Sequence, residues 1–258
     1  MTLDVSAFIG GYPFRHVDQT GPDDLLRAMD RVGIERAWVG HLGSFLYRDP
    51  APANAQLVRA LEPHADRLLP VLAVHPGLPD MARDLDRARD VGAPAVRVYP
   101  NWQGLEPAGD AMRALAADAA ARALPLVLTV RFEDSRQRHP LDVARDLPAA
   151  GVRLLVRADP GVRLLVTHAD RAFIEEVHFG LTPAEARRVL WDFSWIWGPP
   201  QDHFRLLLRT VGVERFTLGT GMPLRLPEAA FAKLDLLTLD APVAAALVAG
   251  NLHSWLRG

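Results

Sequence analysis

The stretch Met81–Asn101, MARDLDRARDVGAPAVRVYPN, holds the unit from which the chain is built. Its first half has a 3.6-residue pattern of apolar positions, as an amphipathic helix requires. Gly92 follows directly on Val91, the C-cap position at which glycine turns the chain out of a helix. The run AVRVY at 95–99 is short, apolar and β-branched, as expected of a strand buried on both faces. Helix, glycine and buried strand in that order read as one half-turn of a parallel βαβ fold.

The same unit recurs along the chain. Strand-like runs lie at 3–9, 36–41, 68–75, 95–99, 125–131, 163–168, 189–194 and 215–220. Helical segments stand between them, and the Val-Gly ending returns at Val32-Gly33 and Val211-Gly212. Pro22-Asp23-Asp24 and Thr182-Pro183 have the Pro and early acidic residues of helix starts. Eight strands alternating with helices predict an α/β fold, a (β/α)8 TIM barrel, rather than an open doubly wound sheet. No GxGxxG or GxxxxGK[ST] fingerprint follows any strand, which removes the dinucleotide and P-loop readings. Residues 141–151, LDVARDLPAAG, read as a short helix, and 152–162 fit helix, strand or turn equally. No linker interrupts the pattern, so residues 1–258 are expected to form one domain.

Composition narrows the chemistry. A formal net charge of −2, with arginines interspersed among Asp and Glu, offers no basis for binding nucleic acid or an anionic membrane. There is no cysteine, so thiolate nucleophiles, thiolate metal sites and disulfides are excluded. Lys233 is the sole lysine and lies in a helical segment near the chain's end, which disfavours Schiff-base and pyridoxal phosphate chemistry. Neither a signal peptide nor a membrane-spanning run is evident, and a cytoplasmic location is expected.

In a barrel, function gathers at the C-terminal ends of the strands. Those ends carry Ser6, His41, His75, Arg97, Tyr99, Arg131, His168 and Asp192, and the loop after the first strand adds Arg15 and His16. His168 is the candidate base and Asp192 its orienting partner; Arg131, the third candidate catalytic residue, is placed with Arg97 to bind a substrate carboxylate in a bidentate manner. Ser6, Arg15, His16, His41, His75, Arg97 and Tyr99 are candidate substrate contacts. For His41 and His75 the plainer alternative is loop capping. Ser6 qualifies as a nucleophile only if His168 reaches it, and the GxSxG elbow is absent.

Several stretches together resemble the amidohydrolase superfamily, in particular its amidohydrolase-related branch. They are DVSAFIG at 4–10, GAPAVRVYPN at 92–101, LVTHA at 165–169, LGTGMP at 218–223 and GNL at 250–252. The resemblance spans nearly the whole chain and implies a TIM barrel, a small-molecule substrate and a homodimer as the assembly to expect. It also implies a metal site built on D-x-H-x-H in the first strand and G-T-D-x-P in the eighth. Here those histidine positions hold Ser6 and Phe8, the aspartate position holds Gly221, and the fifth strand has no ligand histidine. His168 alone matches. A divalent ion needs three or four placed ligands, so no metal and no other cofactor are expected. The implied function is a metal-independent hydrolase of a small carboxylate-bearing ester, lactone or amide. Non-oxidative decarboxylation and a non-catalytic binding role are the alternatives.

Overall fold

A computed structural model describes residues 1–257. Its strand segments are β1 (Leu3–Ile9), β2 (Arg36–His41), β3 (Leu68–Pro70), β4 (Leu72–Ala73), β5 (Val96–Val98), β6 (Leu126–Thr129), β7 (Leu164–Thr167), β8 (Val189–Asp192) and β9 (Phe216–Thr217). All pair in parallel, β1 to β3 in one run and β4 to β9 in another. β3 and β4 are two halves of one barrel strand broken at Val71, whose N–H still donates to Val39 O. The ring closes where Val5 N donates to Leu218 O, Gly221 N to Ser6 O and Phe8 N to Met222 O, each within 2.9 Å. This is the eight-stranded barrel that the repeating unit predicts.

The helices are α1 (Pro22–Val32), α2 (Ala51–Leu61), α3 (Met81–Asp90), α4 (Asp110–Ala121), α5 (Ala149–Ala158), α6 (Arg171–His178), α7 (Pro183–Ala186), α8 (His203–Thr210), α9 (Glu228–Leu237), α10 (Ala241–Ala245) and α11 (Asn251–Arg257). In α1, Pro22 opens the first turn, Leu25, Ala28 and Met29 form the buried face, and Gly33 ends it at φ 74°. Gly92 does the same after α3 at φ 70°. Among the described residues no helix is long and apolar enough to cross a membrane.

Residues 141–148 are not helical, and only the last three residues of the 141–151 segment enter a helix. Leu141 and Val143 are exposed and, of the segment's leucines and valine, Leu147 alone is buried, so no helical apolar face forms. Its carboxylates are drawn instead to arginines: Asp146 pairs with Arg131 and Arg138, and Asp142 Oδ1 accepts from Trp102 Nε1 at 3.1 Å. The helix begins only after Pro148, as α5.

β1 departs from simple alternation in a way that makes the site. Leu3 and Val5 pack inside the barrel with Trp38, Val127, Leu165 and Leu190. Ala7 and Ile9 pack outside, with Leu25 and Met29 of α1. The phase changes at a bulge between Asp4 and Ala7. Asp4 holds the bulge, its Oδ1 accepting from Ser6 N at 2.9 Å and Thr220 N at 3.0 Å. The bulge is what turns Ser6 and Phe8 inward.

Candidate active site

Above the apolar floor of the barrel lies a polar layer contributed by five strands, β1 and β5 to β8. Arg97 Nη1 donates to Thr129 Oγ1 at 3.1 Å, and Thr129 and Thr167 exchange a hydroxyl contact at 3.2 Å. Asp4, Arg97 and Asp192 are fully buried there. Burial pushes both Asp4 and Asp192 up to about 6, while their hydrogen-bond donors pull the other way. Arg97 lies with its guanidinium carbon 4.6 Å from the Phe8 ring centre, and its Nε and Nη2 have no acceptor among the described residues. It is a structural cation of the interior, closed off from the solvent by aromatic rings rather than presented to a ligand.

His168 stands at the centre of the layer in a left-handed backbone conformation, φ 60°. Asp192 Oδ1 accepts from His168 N at 2.9 Å and also from the Ser194 hydroxyl at 3.1 Å. The expected orienting role of Asp192 is therefore corrected: it holds the backbone of His168 and not the ring. The ring is held by the Arg131 carbonyl, 2.9 Å from Nδ1. A carbonyl only accepts, so Nδ1 carries the proton and Nε2 has the free lone pair. Ser6 Oγ is 3.2 Å from Nε2 and donates to it. Burial, with the nearby charges of Arg225, Arg97 and Arg131, pulls the imidazole down to about 3, so it is neutral at physiological pH.

Arg131 is likewise corrected as a free binder of a substrate carboxylate. Its guanidinium is taken by Asp170 and by Asp146 Oδ2 at 2.8 Å. Two histidines lie outside the site: His41 Nδ1 accepts from Gly43 N at 3.0 Å, and His75 Nδ1 accepts from Gly77 N at 3.1 Å. Both cap loops. His16 points into solvent, 2.8 Å from Asp18. Arg15 straps the rim, donating to Glu133 at 2.7 Å and to Leu224 O at 2.8 Å. Tyr99 is buried in an aromatic cluster with Phe8, Tyr12, Phe45 and Phe132, which closes the half of the barrel mouth above β1 to β5.

The other half of the mouth is open. A cavity of about 380 Å³ lies above β6 to β9, lined among others by Arg131, Ser194, Trp195, Thr220, Arg225 and Lys233. Arg225 stacks with its guanidinium carbon 3.8 Å from the Trp195 ring centre, and no ion pair or hydrogen bond to its side chain occurs among the described residues. Lys233, on α9 as its sequence context predicts, nevertheless reaches this cavity and donates to Phe193 O and Ser194 O, each at 2.9 Å. Burial and the neighbouring Arg225 draw its ammonium down to about 8. Arg225 and Lys233 were not legible as site residues, because both follow the last strand with no motif around them. Gly221 joins cavity to base: a Cβ there would lie 3.1 Å from His168 Nε2 and 3.4 Å from Arg225 Cδ.

No family model and no curated protein sequence matches the chain. Solved structures do. The 2,6-dihydroxybenzoate decarboxylase from Rhizobium aligns over 99% of this chain and 98% of its own, at TM-score 0.76 and 14% identity. An amidohydrolase II aligns over 100% of both chains, at TM-score 0.71 and 16% identity. A TIM-barrel protein from Bordetella bronchiseptica aligns over 99% and 98%, at TM-score 0.70 and 12% identity. The chain shares the TIM-barrel fold of these structures. At such identities the likeness establishes the fold and leaves the chemistry to the residues.

The residues of this barrel do not fit the metal site that the sequence resemblance implies. Ser6, Phe8 and Gly221 occupy ligand positions and none can coordinate as an imidazole or carboxylate does. Among the described residues no three His, Cys, Asp or Glu side chains come together as a metal-binding group. Gly221 also has φ 74°, a conformation that an aspartate adopts only under strain.

Proposed function

We propose that the protein is a metal-independent hydrolase of a small carboxylate-bearing ester, lactone or amide, bound in the cavity above β6 to β9. The observation that carries this reading is the Ser6 Oγ–His168 Nε2 contact, with the tautomer set by the Arg131 carbonyl. It is the geometry of a nucleophile and its base. Arg225 receives the substrate carboxylate, as the cavity cation without a protein partner. Neutralising Arg225 also weakens the field that depresses His168, so the base strengthens when the anion is bound. Ser6 Oγ then bonds to the acyl carbon as Nε2 takes its proton, and Nε2–H returns that proton to the leaving oxygen or nitrogen. Water deprotonated by the same nitrogen cleaves the acyl-Ser6 ester, releasing the acid and restoring Ser6.

A second reading, a non-catalytic binder of the same class of anion, is supported by burial. Ser6 and His168 are 0% and 1% exposed, so substrate reaches them only if Trp195 and Arg225 move. One experiment separates the readings. Protein purified without chelators is assayed for metal, then screened against carboxylate-bearing esters, lactones and amides with and without EDTA, with CO2 release followed in parallel. Turnover that is insensitive to EDTA and lost in His168→Asn supports the hydrolase. Saturable binding without turnover points to the binder, CO2 release to a decarboxylase, and stoichiometric zinc with EDTA-sensitive turnover overturns the metal-free mechanism.

A further inference from the structure

A second cavity, of about 440 Å³, lies at the opposite end of the barrel and is lined by Arg163, Arg187, Arg188, Arg215, Asn251 and Trp255 among others. The topology explains the concentration of charge. Arg163 immediately precedes β7, Arg188 precedes β8 and Arg215 precedes β9, so three successive strands enter the barrel from an arginine. The equivalent arginine before β3, Arg67, is neutralised by Asp30 at 2.8 Å. These are not. Arg163 Nη1 donates to Trp255 O at 3.0 Å and to Leu256 O, and Arg188 Nη1 to Asp159 O at 2.8 Å. Those bonds fix the guanidinium groups in place through neutral carbonyls, and neither Arg163 nor Arg188 has an ion pair among the described residues, although Glu185 and Asp159 lie near enough to Arg188 to act on its charge.

Of the acidic side chains, Glu214 lines the cavity, and it approaches Arg215 only to 3.6 Å. Arg187 has no ion pair among the described residues, and its charge acts against that of Arg215, whose guanidinium is already drawn down by burial. Four guanidinium groups thus face one carboxylate around a single cavity, in a chain whose overall charge is −2. An aromatic side chain lines the cavity beside these arginines. Trp255 is 7% exposed, and its indole Nε1 is a buried donor with no acceptor among the described residues. Buried donors in native folds are nearly always satisfied.

We propose that this cavity binds a phosphomonoester, its phosphate seated among Arg163, Arg187, Arg188 and Arg215. A carboxylate presents its two oxygens in one plane and with a single negative charge. A phosphate dianion has three oxygens in a tetrahedral array and accepts from several guanidinium groups at once. The volume exceeds what a phosphate group alone fills, and Trp255, Asn251 and Ser254 offer the organic portion an aromatic face and polar atoms. The site lies at the far end of the barrel from His168 and is independent of the hydrolase reading. α11 supplies Trp255 and Asn251, and Asn251 Nδ2 donates to Val213 O at 2.8 Å and Phe216 O at 2.9 Å. A ligand here therefore ties the last helix to the strand that closes the barrel.

The test uses the full chain in titration calorimetry with inorganic phosphate, glucose 6-phosphate and adenosine 5′-monophosphate, against acetate at matched ionic strength. A ¹H–¹⁵N spectrum follows the Trp255 indole N–H, assigned by its loss in Trp255→Phe. The expected result is saturable binding of an ester, tighter than that of inorganic phosphate, with a shift of the Trp255 indole signal. Affinity should fall by about tenfold or more in Arg187→Gln/Arg215→Gln, as loss of charge-assisted contacts predicts. If that double variant fails to fold, Arg187→Gln alone serves, because the side chain is exposed; a loss of about threefold is expected. Binding no stronger than that of acetate, or affinity unchanged in a folded variant, overturns the site. Equal affinity for all three phosphates overturns the ester and reduces the ligand to the phosphate group.

Discussion

Ser6, on the first strand, and His168, after β7, are joined at 3.2 Å although 162 residues separate them in the chain. The contact exists because a bulge turns one strand and a left-handed residue ends the other. Its consequence for activity is direct. On a substrate found by the screen, His168→Asn is expected to lower kcat by about 10²–10⁴-fold, the usual worth of a positioned base. Ser6→Ala should abolish the acyl-enzyme detected by intact-mass spectrometry. Full kcat in Ser6→Ala would remove Ser6 from the reaction and leave water as the nucleophile.

Arg225 and Arg131 both line the cavity but should respond oppositely to truncation. Arg225→Gln removes a cation without a protein partner, so KM is expected to rise about 10–100-fold with melting temperature nearly unchanged. Arg131→Gln strips Asp170 of its counter-ion, leaves Asp146 with Arg138 alone, and is expected to lower the melting temperature. The Arg131 carbonyl that holds His168 survives the change, so kcat should fall much less than in His168→Asn. Kinetics and thermal melts on the two variants check this; a larger KM effect for Arg131 would reverse the assignment.

The buried ionisable groups give stability a pH dependence with opposite signs. Asp192 has its folded pKa raised from 3.8 to about 6, so the native state binds more protons between those values. Stability relative to Asp192→Asn should therefore fall as pH rises from 4 to 6 and level off above. His168 is lowered from 6.5 to about 3, so the unfolded state binds more protons in that interval. Stability relative to His168→Asn should rise with pH from 3 to 6.5 and then level off. Urea titrations at a series of pH values measure both, and a slope of the wrong sign for either would show that the group is not held as described.

Gly219 and Gly221 should tolerate no side chain. A Cβ at Gly219 would stand 2.5 Å from Asp192 Oδ2, displacing the carboxylate that fixes the His168 backbone. Gly219→Ala is expected to destabilise the fold by at least 1–3 kcal/mol, about the cost of a buried group left unpaired. Gly221→Ala meets a left-handed backbone and is expected to cost about 1–2 kcal/mol. Denaturant midpoints decide both. Gly221→Asp should acquire no stoichiometric zinc, because Ser6 and Phe8 still lack donor atoms of the required kind.

Much of the barrel was readable from local rules. The strand positions and the glycine stops after α1 and α3 follow from propensity and period, which depend on neighbours in sequence. That Ser6, Phe8 and Gly221 offer no imidazole or carboxylate is likewise visible as residue identity. The 141–151 segment was misread because one turn of helical period looks the same whether its carboxylates face water or arginine; Arg131 and Arg138 decide between them. His41 and His75 sit at strand ends like His168, yet each accepts from an N–H two residues on, a choice that strand position alone does not reveal.

By itself, then, the sequence determined the repeating strand and helix units and the chemical inventory of the strand ends, since both depend on composition and short-range pattern. Which of those groups meet was decided by the closed barrel. Closure brings β1 against the chain after β9, the bulge at Asp4 to Ala7 sets the side-chain phase, and burial then assigns each charge its partner. Arg97 and Arg131 are consumed by the interior and the rim. Arg225, which no local pattern marks, is left over Trp195 as the cavity cation without a partner among the described residues.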